Sequence, residues 1–212
     1  MAFNESYKRW HAPKREILNQ EGNLRRGATH QGHYHVKHRD KYIGDPNLVV
    51  YRSGWEWSFC AWADASPSIL RWSSEPVKVP YLDRLSPLEE NIKLGLNPNN
   101  PRNWKKKNYN TDFWIEIDKG GPRPEKWFIE VKPSKDLTKP KPIAANAPLR
   151  EIKKYNAKMK TYITNEAKFA ALTEWATRSG TKFCVFHEET MKKFGILGGR
   201  FDYNKRKNKY QK

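Results

Sequence analysis

The sequence has no long apolar run. No window approaches the ~18 consecutive apolar residues of a membrane span, so a bilayer-crossing helix is not expected. The first ten residues, MAFNESYKRW, have no apolar stretch behind their charges, which argues against a secretory signal. Cysteine is scarce. The two present, Cys60 and Cys184, are flanked by aromatic and apolar residues (Phe59-Cys60-Ala61-Trp62 and Phe183-Cys184-Val185-Phe186). Two core thiols in a reducing compartment fit this better than a disulfide framework or a cysteine metal site. Acidic residues are outnumbered, 23 against 41 Lys and Arg, for a formal net charge of +18. A surplus of that size favours a polyanionic partner, and nucleic acid is the first candidate for a soluble chain. An anionic membrane surface is the other option. No internal repeat is visible.

What is present suits one ordinary globular domain with arms or tails. The chain has 212 residues, 37% of them hydrophobic, with nine tryptophans and ten tyrosines. Residues 1–45 read as a basic, His-rich N-terminal arm without a steady period. His30, His33, His35 and His38 are crowded together, but no Cys or acidic constellation frames them as a metal site. An arm on DNA or on a partner protein, or a disordered tail, accounts for them equally well. A domain is expected over 46–199 and a basic C-terminal tail over 200–212. The tail includes the run Lys205 to Lys209.

Local patterns give the elements. Ser53-Gly54-Trp55-Glu56 reads as a capping box, and Trp55, Phe59 and Trp62 follow at helical spacing up to Pro67. Val77, Val79 and Tyr81 alternate as a strand with prolines at its ends, which places it at an edge. Residues 83–110 read as a long basic loop. Thr111 to Asp118 and Trp127 to Lys132 read as strands around a Gly-Gly-Pro turn, hence an antiparallel hairpin. A helical pattern resumes near Leu149. Asn165 reads as the N-cap of a second helix that Gly180 ends. Thr181 to His187 reads as a short apolar strand and Glu188 to Phe194 as a last helix. The order predicts an α/β core, a mixed sheet flanked by helices.

The chemistry concentrates on the hairpin. Residues two apart on a strand share a face, so Glu130 and Lys132 point together, away from Trp127, Ile129 and Val131. Asp112 opens the neighbouring strand and can approach Glu130. Two adjacent carboxylates repel unless a hard divalent cation lies between them. Mg²⁺ needs few protein oxygens, and the Val131 carbonyl can add one. Such a metal can polarise a phosphodiester, lower the pKa of a bound water and stabilise the leaving oxygen. Lys132 can offset charge in the transition state or orient the attacking water. Glu56 is a candidate third carboxylate, although closing the capping box explains it as well. A bare Glu-x-Lys on a strand is more often a solvated pair worth under ~1 kcal/mol. Four such features in this order on a strongly basic chain shift the balance. Lys105, Lys106 and Lys107, and Arg150 with Lys153 and Lys154, are candidate DNA backbone contacts. A solvated surface is the alternative for each cluster.

Asp112 in TDFW followed by Glu130-Val131-Lys132 in FIEVKP resembles the signature of PD-(D/E)xK nucleases. Tyr51-Arg52-Ser53-Gly54-Trp55-Glu56 and Glu75-Pro76-Val77 resemble the transposon-end nuclease branch. Lys41-Tyr42-Ile43-Gly44-Asp45-Pro46, Trp72-Ser73-Ser74-Glu75 and Pro80-Tyr81 extend the likeness over roughly 40–200 to the head completion nucleases of T-even-type tailed phages. The resemblance implies a restriction-endonuclease-like fold and Mg²⁺-dependent cleavage of double-stranded DNA, with Mn²⁺ as a substitute. It implies action on packaged DNA beside portal and head-neck proteins, in the host cytoplasm or at the head–tail junction. Asp112 and Glu130 would be metal ligands, Lys132 the catalytic lysine and Glu56 the helix glutamate. Thr111 stands where the signature has proline. Two other functions are open: a DNA-binding protein that seals the portal with a vestigial site, and a transposase-type or repair nuclease.

Overall fold

The computed structural model describes residues 31–203. His30 and the run Lys205 to Lys209 lie outside them. The chain divides into two compact units. Among the described residues, one comprises 31–77, 111–131 and 180–203, and the other 78–110 and 132–179.

The first unit is built on a four-stranded mixed sheet. Its strands are β3 (Ile69–Ser74), β6 (Phe113–Ile117), β7 (Glu125–Val131) and β8 (Lys182–Phe186), in the order β3-β6-β7-β8. The expected hairpin is β6 and β7, paired antiparallel with Phe113 opposite Ile129. The turn bends at Gly120, where φ is +75°. Strand β8 joins β7 in parallel, as a helix-length crossover requires. Helix α1 (Gly54–Ala65) matches the expected span and is capped at Ser53, whose Oγ accepts from the Glu56 N–H at 3.1 Å. Its apolar face supplies Phe59, Cys60, Trp62 and Ala63 to a core shared with Phe113, Ile115, Ile129, Val131 and Phe186. Phe59 stacks on Phe113 with ring centroids 4.3 Å apart. Helix α4 (Glu188–Lys193) adds Met191, and Ile196 follows it into the same core.

Strand β3 has no clean alternation in the sequence because a bulge between Ile69 and Arg71 shifts its pairing with β6. The extra residue breaks the period of two. The boundary expected at residue 45 falls inside the folded body. Strand β1 (Gly32–His33) pairs with β2 (Val50–Tyr51), and Tyr34 and Tyr42 are buried. Buried Asp64 fastens this segment, accepting from Tyr34 Oη (3.0 Å), Lys37 N (2.8 Å) and His38 N (3.0 Å). Lys41 Nζ donates to the carbonyls of Asp64 and Ser66 at the end of α1. Burial lowers its pKa, against the pull of Asp64 and Asp40. The Lys41–Pro46 motif is thus scaffolding. At the other end, Tyr203 N donates to Ser58 Oγ at 3.0 Å and its ring packs on Trp57.

The second unit corrects two expectations. Residues 83–110 are not a loop. They hold α2 (Leu88–Lys93), a short 3₁₀ turn (Pro101–Asn103) and β5 (Lys105–Asn110), which pairs antiparallel with β4 (Lys78–Asp83). Only Tyr109 of β5 is buried, so this mostly solvated strand carries almost no apolar pattern to read. Pro80 sits within this ribbon, consistent with an edge position. The second correction concerns Asn165, which caps nothing. Helix α3 runs unbroken over Leu149–Arg178, about 45 Å at 1.5 Å per residue. No Pro or Gly interrupts it, and buried Asn165 instead donates Nδ2 to the Asp136 carbonyl at 3.1 Å. Gly180, with φ of +62°, follows the helix as expected. This unit carries eighteen Lys and Arg against seven Asp and Glu, and therefore most of the net charge.

Candidate active site

Strand register places the first two acids. Phe113 is opposite Ile129, so Asp112, one residue before β6, lies beside Glu130 and Val131 near the end of β7. The contact is reciprocal. Val131 N donates to Asp112 Oδ2 at 2.8 Å, and Asp112 N donates to Glu130 Oε2 at 3.3 Å. Each acid is thereby oriented by the other's strand. Glu130 is only 2% exposed. A carboxylate taken so far from water needs compensating charge or hydrogen bonds. Two hard carboxylates side by side are oxygen donors of the kind Mg²⁺ takes, so the residues present fit that ion. Strand β7 ends at Val131, and Lys132 is the next residue along the chain.

Glu56 is engaged by the residues at the start of its own helix. Its Oε2 accepts from Arg52 N at 2.8 Å and its Oε1 from Ser53 Oγ at 3.1 Å, so it closes the start of α1. Among the described residues, no three His, Cys, Asp or Glu side chains gather into a metal-holding group. His33, His35 and His38 are included in that statement. His38 Nδ1 instead lies 3.4 Å from Asp64.

One residue that the motif reading left without a role stands out. Glu75 has φ of +48°, the only non-glycine positive φ among the described residues. For an L-residue that conformation costs about 1–2 kcal/mol. Its N–H donates to the Asp112 carbonyl at 2.8 Å, and its Oε1 accepts from Arg52 Nε at 3.1 Å. Glu56, Arg52, Glu75, Asp112 and Glu130 thus form one hydrogen-bonded sequence. The signal available beforehand was the opposite charges of Arg52 and Glu75, since Pro76 by itself favours an extended, negative-φ residue before it.

The basic candidates separate. Lys105, Lys106, Arg150, Lys153 and Lys154 are exposed. Lys107 is committed to Asp83, with Nζ 2.6 Å from Oδ2, and also contacts Ser86 Oγ. Burial raises the Asp83 pKa, but hydrogen bonds from Lys107, Ser86 and Leu85 outweigh it and hold the carboxyl well below its usual range. Both thiols are free. Burial is the main cause that pushes Cys60 well above its ordinary pKa, with Glu56 and Asp64 adding to it, and burial raises Cys184 too. Neither is a ready nucleophile.

Residues 66–188 match the family described as TnsA-like endonuclease N terminal. The chain is similar to the head completion nuclease of Enterobacteria phage T4, at 29% identity over 170 residues that cover 80% of this chain and 99% of that protein. No solved structure matches.

Proposed function

Because the chain belongs to the TnsA-like endonuclease family, whose domain is restriction-endonuclease-like, we propose that it is a Mg²⁺-dependent DNA endonuclease with Asp112, Glu130 and Lys132 at its centre. The observation that carries this reading is the reciprocal hydrogen bonding of Asp112 and the Glu130–Val131 segment. It fixes two acids side by side where a cation relieves their repulsion. The bound ion supplies charge neutralisation at the phosphate and a more acidic water. Asp112, Glu130 and the Val131 carbonyl would hold it, with Mn²⁺ as a substitute. Lys132 contributes an ammonium that balances charge on the transferring phosphate or orients the attacking water. Glu56 orients Arg52 and the start of α1 and stands by as a further ligand to metal or water. Lys105, Lys106, Arg150, Lys153 and Lys154 supply backbone contacts to the duplex.

The named function of the phage T4 relative supports a role in head completion. On that reading the protein acts in the host cell on double-stranded or branched DNA, beside portal proteins and at the head–tail junction. Among the described residues no helix is long and apolar enough to cross a membrane. The test is cleavage of duplex, nicked and branched DNA with Mg²⁺ by wild type, Lys132→Ala and Asp112→Asn. Wild type should cut at least ~100-fold faster than either variant, the scale of losing one transition-state contact. Equal rates across all substrates would overturn the enzyme reading.

A further inference from the structure

Resting on that nuclease reading, we propose that Arg52 is a substrate-phosphate contact of the same site and that Glu75 is the positioning residue that aims it. Arg52 is held at two atoms. Its backbone N–H donates to Glu56 Oε2 at 2.8 Å, and its Nε donates to Glu75 Oε1 at 3.1 Å. Its side chain nevertheless stays 43% exposed, whereas that of Glu75 is 11% exposed. A guanidinium has five N–H donors, and Nε uses one. Among the described residues, no protein acceptor takes the four donors on Nη1 and Nη2. A planar, half-exposed fork pinned along one edge matches the geometry of a phosphate.

The strain at Glu75 gives the placement its meaning. Residues held in rarely populated backbone regions persist where the surroundings over-determine them, often at functional sites. Glu75 lies directly after β3, and its N–H meets the carbonyl of Asp112, itself beside Glu130. The strained residue therefore links the arginine to the paired acids. Stability alone is a poor reason for the arrangement, because an ion pair this exposed on one side contributes little. The charges also divide the labour. A divalent cation held by Asp112 and Glu130 would neutralise charge on a phosphodiester, and a fixed guanidinium supplies positive charge that no titration removes. Glu75, neutralised by Arg52, orients the fork and need not bind the metal.

The experiment uses the full chain. Duplex binding is measured by fluorescence anisotropy in EDTA across a salt series. Mn²⁺ affinity is measured without DNA by electron paramagnetic resonance. Arg52→Met should lower the slope of log K against log salt by about 0.9, the value of one phosphate contact. It should reduce kcat/KM while Mn²⁺ affinity stays within about twofold, since charge-assisted contacts to the acids are untouched. Arg52→Lys should keep the wild-type slope. Glu75→Ala, which removes the acceptor for Arg52 Nε, should keep the slope and Mn²⁺ affinity but lower kcat about tenfold or more, because the arginine charge remains while its aim is lost. An unchanged slope in Arg52→Met, with a wild type that binds and cuts, overturns this proposal alone. Loss of Mn²⁺ binding in a folded Arg52→Met also overturns it, in favour of a scaffold for the metal ligands. If that variant fails to fold, Arg52→Gln, which retains a donor for Glu75, is judged by the same slope. A wild type that neither binds nor cuts duplex overturns the nuclease reading and this proposal with it.

Discussion

Asp112→Asn should make the metal-free protein more stable while abolishing its response to Mg²⁺. Asparagine keeps the side-chain shape and keeps an oxygen to accept from Val131 N, where Asp112 Oδ2 now accepts at 2.8 Å. What it removes is one negative charge beside buried Glu130. Two unit charges 4 Å apart repel by about 4 kcal/mol at an effective dielectric of about 20. Partial exposure of Asp112 to screening solvent reduces the recoverable amount to about 1–2 kcal/mol. For a chain of this length that corresponds to a rise of about 2–8 °C in Tm. In EDTA the variant should therefore melt above wild type. Saturating Mg²⁺ reverses the order, because at a hundredfold excess over Kd a ligand that binds only the folded state adds about 2.7 kcal/mol to wild type. Differential scanning calorimetry in EDTA and in Mg²⁺ reads both effects. A variant that melts below wild type in EDTA, or one that keeps the full Mg²⁺ shift, refutes the paired-acid argument.

Two further outcomes follow from the packing and the charges. Phe59→Ala removes a fully buried ring stacked on Phe113, and should cost about 3–5 kcal/mol in urea unfolding. Asp83 carries a depressed pKa, so its contribution is present above the ordinary carboxylate range near pH 4 and is lost as pH falls through and below it. Asp83→Asn should thus lower stability by about 1–2 kcal/mol at pH 7 and flatten the acid limb of the stability profile, read by Tm against pH. An acid limb as steep as that of wild type would remove Asp83 from the account.

The parts of the fold with a strong local pattern were legible in the sequence. Ser53 and Glu56 announced the start of α1, and two alternating stretches around Gly120 announced the β6–β7 hairpin and hence the approach of Asp112 to Glu130. Four features were hidden for separate physical reasons. The bulge in β3 breaks its alternation, and the Lys-rich ribbon strand β5 buries only Tyr109. Asn165 offers cap chemistry, but its amide is used on the Asp136 carbonyl, so α3 continues. The role of Glu75 depends on a backbone angle and on Arg52, 23 residues earlier, and no period or spacing encodes either.

The central claim is that Asp112 and Glu130 hold a divalent cation between them. Anomalous diffraction from crystals soaked in Mn²⁺ tests it most directly. The account predicts a peak bridging the two carboxylates and within bonding distance of the Val131 carbonyl, about 2.0–2.3 Å for oxygen ligands of this kind of ion. A peak elsewhere, or none between these residues in protein that cleaves DNA with Mn²⁺, would contradict it.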